Sequence, residues 1–232
     1  MSQVRPIRTP LILVNFKTYI EATGKRGVEL AKIADRVSRD SGVTVAVAPQ
    51  FSDLKAVTEA VDIPVFSQHI DPIKPGAFTG HVLAEAVKAA GASATILNHS
   101  EKRIRISEIE EALSLARASD LVTLVCTDTP GVSAAVASLG PNMIAIEPPD
   151  LIGTGVAVSK ARPELITNAI KRIRSVNGSV EILCGAGVTT AEDVIKAIEL
   201  GTMGVLVSSS VVKGSNPAKL LENMTDEILR SK

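Results

Sequence analysis

The chain has 232 residues; 45% are hydrophobic and only 2% are aromatic. This length suits one large α/β domain, and the apolar content is enough for a large core. Lysine and arginine together number 25, as do aspartate and glutamate, so the formal net charge is zero. That balance gives no electrostatic basis for binding nucleic acid or an anionic membrane, and we expect neither as a partner.

The sequence lacks the usual signals of export, membrane insertion and disulfide formation. Asn15 and Lys17 interrupt the first apolar run, which therefore does not match the core of a signal peptide. No apolar run approaches the ~20 residues that span a bilayer. Cys126 and Cys184 are the only cysteines, and they are far apart in the sequence. We therefore expect a cytoplasmic protein without a disulfide framework.

Strand-type and helix-type patterns alternate along the chain. Short apolar runs predict eight strands, at 11–16, 43–48, 64–67, 94–97, 121–125, 143–146, 180–183 and 204–207. Most of these runs are continuously apolar, as in parallel strands that helices cover. Amphipathic patterns predict seven helices, at 27–39, 83–90, 107–118, 132–139, 163–176, 191–200 and 217–229.

Eight strand–helix units over 232 residues give about 29 residues each, which is the size of a βα unit. The leading prediction is therefore an α/β protein with one closed (β/α)8 barrel domain over residues 1–232. A doubly wound open sheet is the alternative. The chain has no GxGxxG motif after the first strand, which argues against a dinucleotide-binding version of that fold.

Polar residues follow five of the predicted strands at their carboxyl ends, where barrel enzymes keep their chemistry. Each alone has an ordinary interpretation: a surface lysine, a structural histidine, a solvated glutamate or a tight turn. Their shared position favours one functional face. The residues are Asn15 and Lys17, His99 and Glu101, Glu147, Gly187, and Ser208 with Ser209. The three histidines are isolated, without metal-binding spacing, so we expect no metal and no cofactor.

Four segments resemble motifs of the triosephosphate isomerase family: 14–17, 77–80, 98–103 and 147–155. The run 184–187 makes the chain most similar to the compact archaeal form. The resemblance implies a TIM barrel that interconverts two triose phosphates through an enediolate, in glycolysis and gluconeogenesis. It makes Glu147 the base and His99 and Lys17 the electrophiles. Asn15 orients the substrate, and Glu101 belongs to the same catalytic set.

Two further expectations concern these roles. We expect His99 to stand at the start of a short helix, whose positive end disfavours the imidazolium ion. By resemblance, the substrate phosphate is held by a lid and two loops, at Ile152, Gly153, Gly187, Ser208 and Ser209. The tyrosine and serine hydroxyls that latch the lid in many members are absent from 184–187, and Asp150 replaces the lid tryptophan.

The resemblance also implies a homo-oligomer. The loop 73–80 is expected to enter a neighbouring subunit, with Phe78 and Thr79 at the interface and Thr79 near the partner's Asn15. The strongly apolar helix at 132–139 needs a cover on its outer face, so we favour a tetramer over a dimer. Two rival functions stay open: another phosphosugar enzyme on the same barrel, such as an epimerase, and a non-enzymatic binding barrel.

Overall fold

The structure is a computed structural model that describes residues 6–151, 154–155 and 157–230. Eight parallel strands form one sheet in the order β2-β1-β8-β7-β6-β5-β4-β3. A bridge between Val47 and Val65 joins the two ends of this order, so the sheet closes into a barrel. The predicted (β/α)8 barrel is confirmed and the open sheet is wrong. The strands are β1 Leu11–Asn15, β2 Thr44–Ala48, β3 Phe66–Ser67, β4 Ala94–Leu97, β5 Val122–Thr127, β6 Met143–Ile146, β7 Glu181–Cys184 and β8 Gly204–Val207.

Two apolar layers explain why the strands are continuously hydrophobic. Successive side chains of a strand point to opposite faces of the sheet. In β1, Leu11 and Leu13 belong to the cluster that fills the barrel interior. Ile12 and Val14 belong to the larger cluster that packs between the strands and the surrounding helices. Both faces are therefore dry, and neither tolerates the polar alternation of a half-exposed sheet.

All seven predicted helices are present, with ends that differ by at most a few residues. Three further helices were missed because four or five residues are too few to show a helical period. Among the described residues, no helix has both the length and the apolar character needed to cross a membrane. The helices are α1 Lys25–Ser41, α2 Leu54–Thr58, α3 Ala84–Ala89, α4 Ile106–Ala118, α5 Pro130–Ala137, α6 Val158–Ala161, α7 Pro163–Val176, α8 Ala191–Glu199, α9 Ser209–Val212 and α10 Pro217–Arg230.

Asp193 in the first turn of α8 fixes the backbone that follows β7. Its Oδ2 accepts hydrogen bonds from the backbone N–H groups of Thr189 and Thr190, both at 2.9 Å. Its Oδ1 lies 2.9 Å from Nζ of Lys160 in α6. Burial by itself raises the pKa of Asp193, but Lys160 and these N–H donors outweigh it and the pKa is lowered. Thr190 caps α8, because its side chain accepts a hydrogen bond from the backbone N–H of Asp193.

Candidate active site

A cleft opens at the carboxyl ends of the strands. Glu101 lies beside it, in contact with Lys17. Ile152 and Gly153 lie outside the described residues. The other residues predicted to bind or convert a ligand all line the cleft: Asn15, Lys17, His99, Glu147, Gly187, Ser208 and Ser209.

Glu147 directly follows β6 and is 3% exposed. Its backbone N–H donates to the carbonyl of Thr127 at 2.7 Å, which fixes the start of the side chain. Oε1 lies 3.6 Å from Nε2 of His99. Oε2 is buried and has no hydrogen-bond partner among the described residues. A buried carboxylate with one unpaired oxygen is costly for the fold, and such a group is a marker of a ligand or catalytic site.

Gly185 makes room for this carboxylate, a role that its neighbours in the sequence do not indicate. A Cβ at position 185 would stand 2.4 Å from Cγ of Glu147 and 2.8 Å from its Oε1. Both distances are far below van der Waals contact. Gly185 is not among the residues with positive φ, so its glycine is required by space and not by backbone conformation. The loop after β7 therefore sets the position of a side chain that follows β6.

His99 is held in one orientation by its neighbours. Asn98 adopts φ 56°. Its side chain donates to the carbonyl of Cys126 and accepts from the N–H of Ile104. The backbone N–H of Glu101 donates to His99 Nδ1 at 3.2 Å. A ring nitrogen that accepts an N–H carries no proton, so the proton of the neutral ring is on Nε2, which faces Glu147.

The expectation that His99 begins a helix is wrong. Residues 98–105 form turns and extended chain, and α4 begins only at Ile106. The hydrogen bond from the N–H of Glu101 to Nδ1, and not a helix end, therefore orients the ring. The sequence could not reveal this difference, because a short polar run after a strand is compatible with either a turn or a helix start.

Lys17 brings a positive charge to the cleft in a constrained conformation. It has φ 48°, an uncommon value for a residue other than glycine. Its backbone N–H donates to Asn15 Oδ1 at 2.9 Å. Its carbonyl accepts from Gln68 Nε2 at 2.9 Å. Nζ lies 2.7 Å from Glu101 Oε1, and the Lys17 side chain is only 12% exposed. The ammonium group is thus held at the rim by a carboxylate that is itself half exposed.

The loops after β7 and β8 bring backbone donors to the opposite end of the cleft. Ala186 and Gly187 both have positive φ, 69° and 71°. Among the described residues, no acceptor pairs with the backbone N–H of Gly187 or of Ser209. Ser208 Oγ donates to the carbonyl of Asn15 at 2.7 Å, which joins the β8 loop to the β1 loop. Unpaired N–H groups that converge in this way form a site for an anion.

Both cysteines are buried free thiols on the strands that flank β6. Burial, and secondarily the nearby Glu147 carboxylate, raises the pKa of the Cys126 thiol well above its usual range. The same two causes raise the pKa of Cys184 to about 12. Both thiols therefore stay protonated at neutral pH and are poor nucleophiles. Cys126 belongs to the cluster that fills the barrel interior, and Cys184 belongs to the cluster between the strands and the helices.

Phe78 and Thr79 lie outside the cleft. Phe78 is 45% exposed, with its ring edge-on to His81 at a centroid distance of 5.8 Å. The stem of their loop is closed at Asp71, whose N–H donates to the carbonyl of Val82 at 2.8 Å and whose Oδ2 accepts from the N–H of Val82 at 2.6 Å. A second groove lies beside the catalytic cleft, and His69 is among its lining residues.

Comparison with known proteins agrees with this geometry. The family model for triosephosphate isomerase matches residues 10–224. The triosephosphate isomerase of Methanocaldococcus jannaschii is 49% identical over 214 residues, which is 92% of this chain and 98% of that protein. That of Methanothermus fervidus is 47% identical over 219 residues, 94% of this chain and 99% of the relative. A crystal structure of triosephosphate isomerase from Bartonella henselae shares the fold, with a TM-score of 0.76 at 17% identity over 96% of this chain and 100% of that one. The chain therefore belongs to the triosephosphate isomerase family of isomerases.

Proposed function

We propose that this protein interconverts dihydroxyacetone phosphate and glyceraldehyde 3-phosphate through an enediolate. One observation carries the proposal: the buried Glu147 carboxylate keeps Oε2 unpaired in a cleft that also holds the His99 imidazole and the Lys17 ammonium group. A base, two electrophiles and an anion site within one cleft are what aldose–ketose isomerisation of a phosphate ester requires.

Glu147 removes a proton from the carbon next to the substrate carbonyl. Negative charge then develops on the carbonyl oxygen, and Nε2–H of His99 and the ammonium of Lys17 donate to the two oxygens of the enediolate. The same carboxylate returns the proton to the neighbouring carbon, and the hydroxyl proton passes from one enediolate oxygen to the other through Nε2 of His99, which converts the ketone to the aldehyde. The 3.6 Å separation of Glu147 Oε1 and His99 Nε2 is longer than a hydrogen bond, so both groups are available to a substrate that contacts them from the cleft.

The phosphate binds at the other end of the cleft. The N–H groups of Gly187 and Ser209 provide donors there, and Ser208 is anchored to the β1 loop through Asn15. The lid residues Ile152 and Gly153 complete this site by resemblance. Because 184–187 offers no latch hydroxyl, lid closure depends on the phosphate and backbone donors. Closure excludes water, which would otherwise protonate the intermediate or promote loss of its phosphate.

The protein acts as a cytoplasmic homo-oligomer, with the tetramer favoured over the dimer. The exposed Phe78 and its neighbour Thr79 lie at the end of a loop whose stem is well paired. An exposed aromatic at such a position is typical of an interface. The groove next to the catalytic cleft, lined by Lys17 and His69 among others, is the surface that this loop of a second copy enters.

The test is a coupled assay with dihydroxyacetone phosphate in the presence of EDTA. We expect formation of glyceraldehyde 3-phosphate by the wild-type protein and its near-complete loss in Glu147→Gln, which keeps the side-chain volume but removes the base. No turnover by the folded wild-type protein, or turnover only with added metal ions, would refute the proposal and favour another phosphosugar enzyme. Retained phosphate binding without turnover would favour a binding barrel.

A further inference from the structure

The β1 and β8 loops are joined at the rim by a second link besides the hydrogen bond from Ser208 to Asn15. Nζ of Lys213 lies 4.0 Å from the centroid of the Tyr19 ring. This distance is well within the range of a cation–π interaction, which holds an ammonium group over an aromatic face. Tyr19 is the only tyrosine of the chain, and its ring forms part of the wall of the catalytic cleft.

The link lies at the phosphate end of the cleft. The backbone N–H of Lys213 donates to the carbonyl of Ser209 at 2.9 Å, so Lys213 follows Ser209 by one helical turn. Ser209 carries one of the unpaired N–H groups of the anion site. Lys213 therefore connects the short helix that begins at Ser209 to the ring of Tyr19, which forms part of the cleft wall.

The backbone of Tyr19 is fixed independently of its ring. Its carbonyl accepts from Thr23 Oγ1 at 2.9 Å and from the N–H of Ala22 at 3.0 Å. Thr23 Oγ1 in turn accepts from Gln50 Nε2 at 2.6 Å. The Tyr19 ring packs against the apolar layer between the strands and the helices, and the contact with Lys213 adds a second constraint on its position.

We propose that Tyr19 and Lys213 are positioning residues for the substrate phosphate: the ammonium of Lys213 fixes the Tyr19 ring as the wall of the phosphate site and adds a positive charge beside it. The identity of the phosphate ester rests on the proposed function, whereas the anion site itself does not. The hydroxyl of Tyr19 has no role in this device, because the ring face and not the hydroxyl meets the cation.

The charge of Lys213 matters because the rest of this end of the cleft is formed by neutral groups. Backbone N–H groups and the hydroxyl of Ser208 contribute dipoles, whereas a phosphate monoester carries a charge near −2 at neutral pH. A nearby ammonium attracts that charge, and since Lys213 is exposed, its contribution is screened by salt. The pair thus acts on substrate binding and hardly on proton transfer.

The test combines four single variants, the double variant Lys213→Gln/Tyr19→Leu and one control. Lys213→Gln removes the cation and Tyr19→Leu removes the ring, while Lys213→Arg and Tyr19→Phe each preserve the contact. Lys219→Gln in α10 is the control, because it removes an equally exposed lysine outside the cleft. The measurements are kcat and KM for dihydroxyacetone phosphate and the Kd of inorganic phosphate by calorimetry, at low and high ionic strength.

We expect Lys213→Gln and Tyr19→Leu each to raise KM and the phosphate Kd by about two- to fivefold, the range of an exposed cation–π pair, with a smaller change in kcat. The double variant should bind phosphate no more weakly than the weaker-binding single variant, because the two substitutions break the same contact. The two conservative variants should restore the affinity, and the Lys213 effect should shrink in high salt.

Three results would overturn the inference: an unchanged phosphate Kd in Lys213→Gln, the same loss in Lys219→Gln, or fully additive losses in the double variant. A loss in Tyr19→Phe equal to that in Tyr19→Leu would assign the effect to the hydroxyl and also overturn it. If Tyr19→Leu does not fold, the two Lys213 variants and Tyr19→Phe still decide whether the inference holds. Phosphate binding that depends on Lys213 without isomerase activity would refute the proposed function and leave this inference standing.

Discussion

Replacement of Gly185 by alanine is the sharpest test of how the barrel positions its base. The new Cβ would stand 2.4 Å from Cγ of Glu147. Carbon atoms in contact are about 3.5–4.0 Å apart, so the two side chains are more than ~1 Å too close. Because Gly185 is not among the residues with positive φ, alanine fits the backbone and the strain falls on the contact.

The magnitude follows from the displacement. Glu147 begins at a backbone N–H that is held by Thr127 at 2.7 Å, so the side chain must swing away while its backbone stays. A misplacement of about 1 Å in a reacting group can cost about 10²-fold in rate. We therefore expect Gly185→Ala to lower kcat about 10²-fold. The loss in phosphate affinity should be much smaller, because the donors of Gly187 and Ser209 are unchanged.

The assay is steady-state turnover of dihydroxyacetone phosphate beside calorimetric phosphate binding and a urea unfolding curve. Gly178→Ala is the matched control, because a Cβ at position 178 meets nothing within 4 Å. It should keep the wild-type rate. Wild-type turnover in folded Gly185→Ala would refute the steric argument. A rate loss that is matched by an equal loss of phosphate binding would show that the whole loop, and not Glu147, had moved.

Three other substitutions and one mass measurement have defined outcomes. Glu147→Asp retracts the carboxylate by one methylene and should lower kcat about 10²- to 10³-fold with little change in inhibitor affinity; unchanged turnover would remove Glu147 from the mechanism. Lys17→Met should lower kcat/KM by a factor that corresponds to several kcal/mol, and normal turnover with normal phosphoglycolate binding would make Lys17 an ordinary surface charge. Asp193→Asn should lower the free energy of unfolding at pH 7 by about 1.5–3 kcal/mol in urea at fixed protein concentration. Since the folded-state pKa of Asp193 is lowered, the stability that its charge contributes is present above the unfolded-state pKa and is lost as the pH falls through the folded-state pKa. If the free energies of unfolding of the wild-type protein and of Asp193→Asn differ by the same amount at pH 7 and in acid, this reasoning is contradicted. Light scattering at micromolar concentration should give four times the 24.3 kDa of one chain; twice that mass excludes the tetramer, and the mass of one chain excludes any oligomer.

The sequence by itself determined the architecture and most of the cleft. Continuous apolar runs such as 143–146 predicted buried parallel strands, because both faces of each strand must be dry. The barrel then implied that residues just after the strands converge, which brings Lys17, His99 and Glu147 into one cleft although 130 positions separate the first from the last. The hydrophobic pattern and the position of polar residues after each strand were sufficient for these predictions, since both depend only on neighbours along the chain.

Contacts between different loops were decided only by the tertiary structure. Nothing near Gly185 in the sequence shows that its missing Cβ is space for Glu147, and nothing near Tyr19 points to Lys213. The donor to His99 Nδ1 likewise depends on a turn that the sequence did not distinguish from a helix start. The strand order and register of the closed sheet set which loops meet. A local pattern specifies which face a side chain takes, whereas the atom it meets there is set by packing across the barrel.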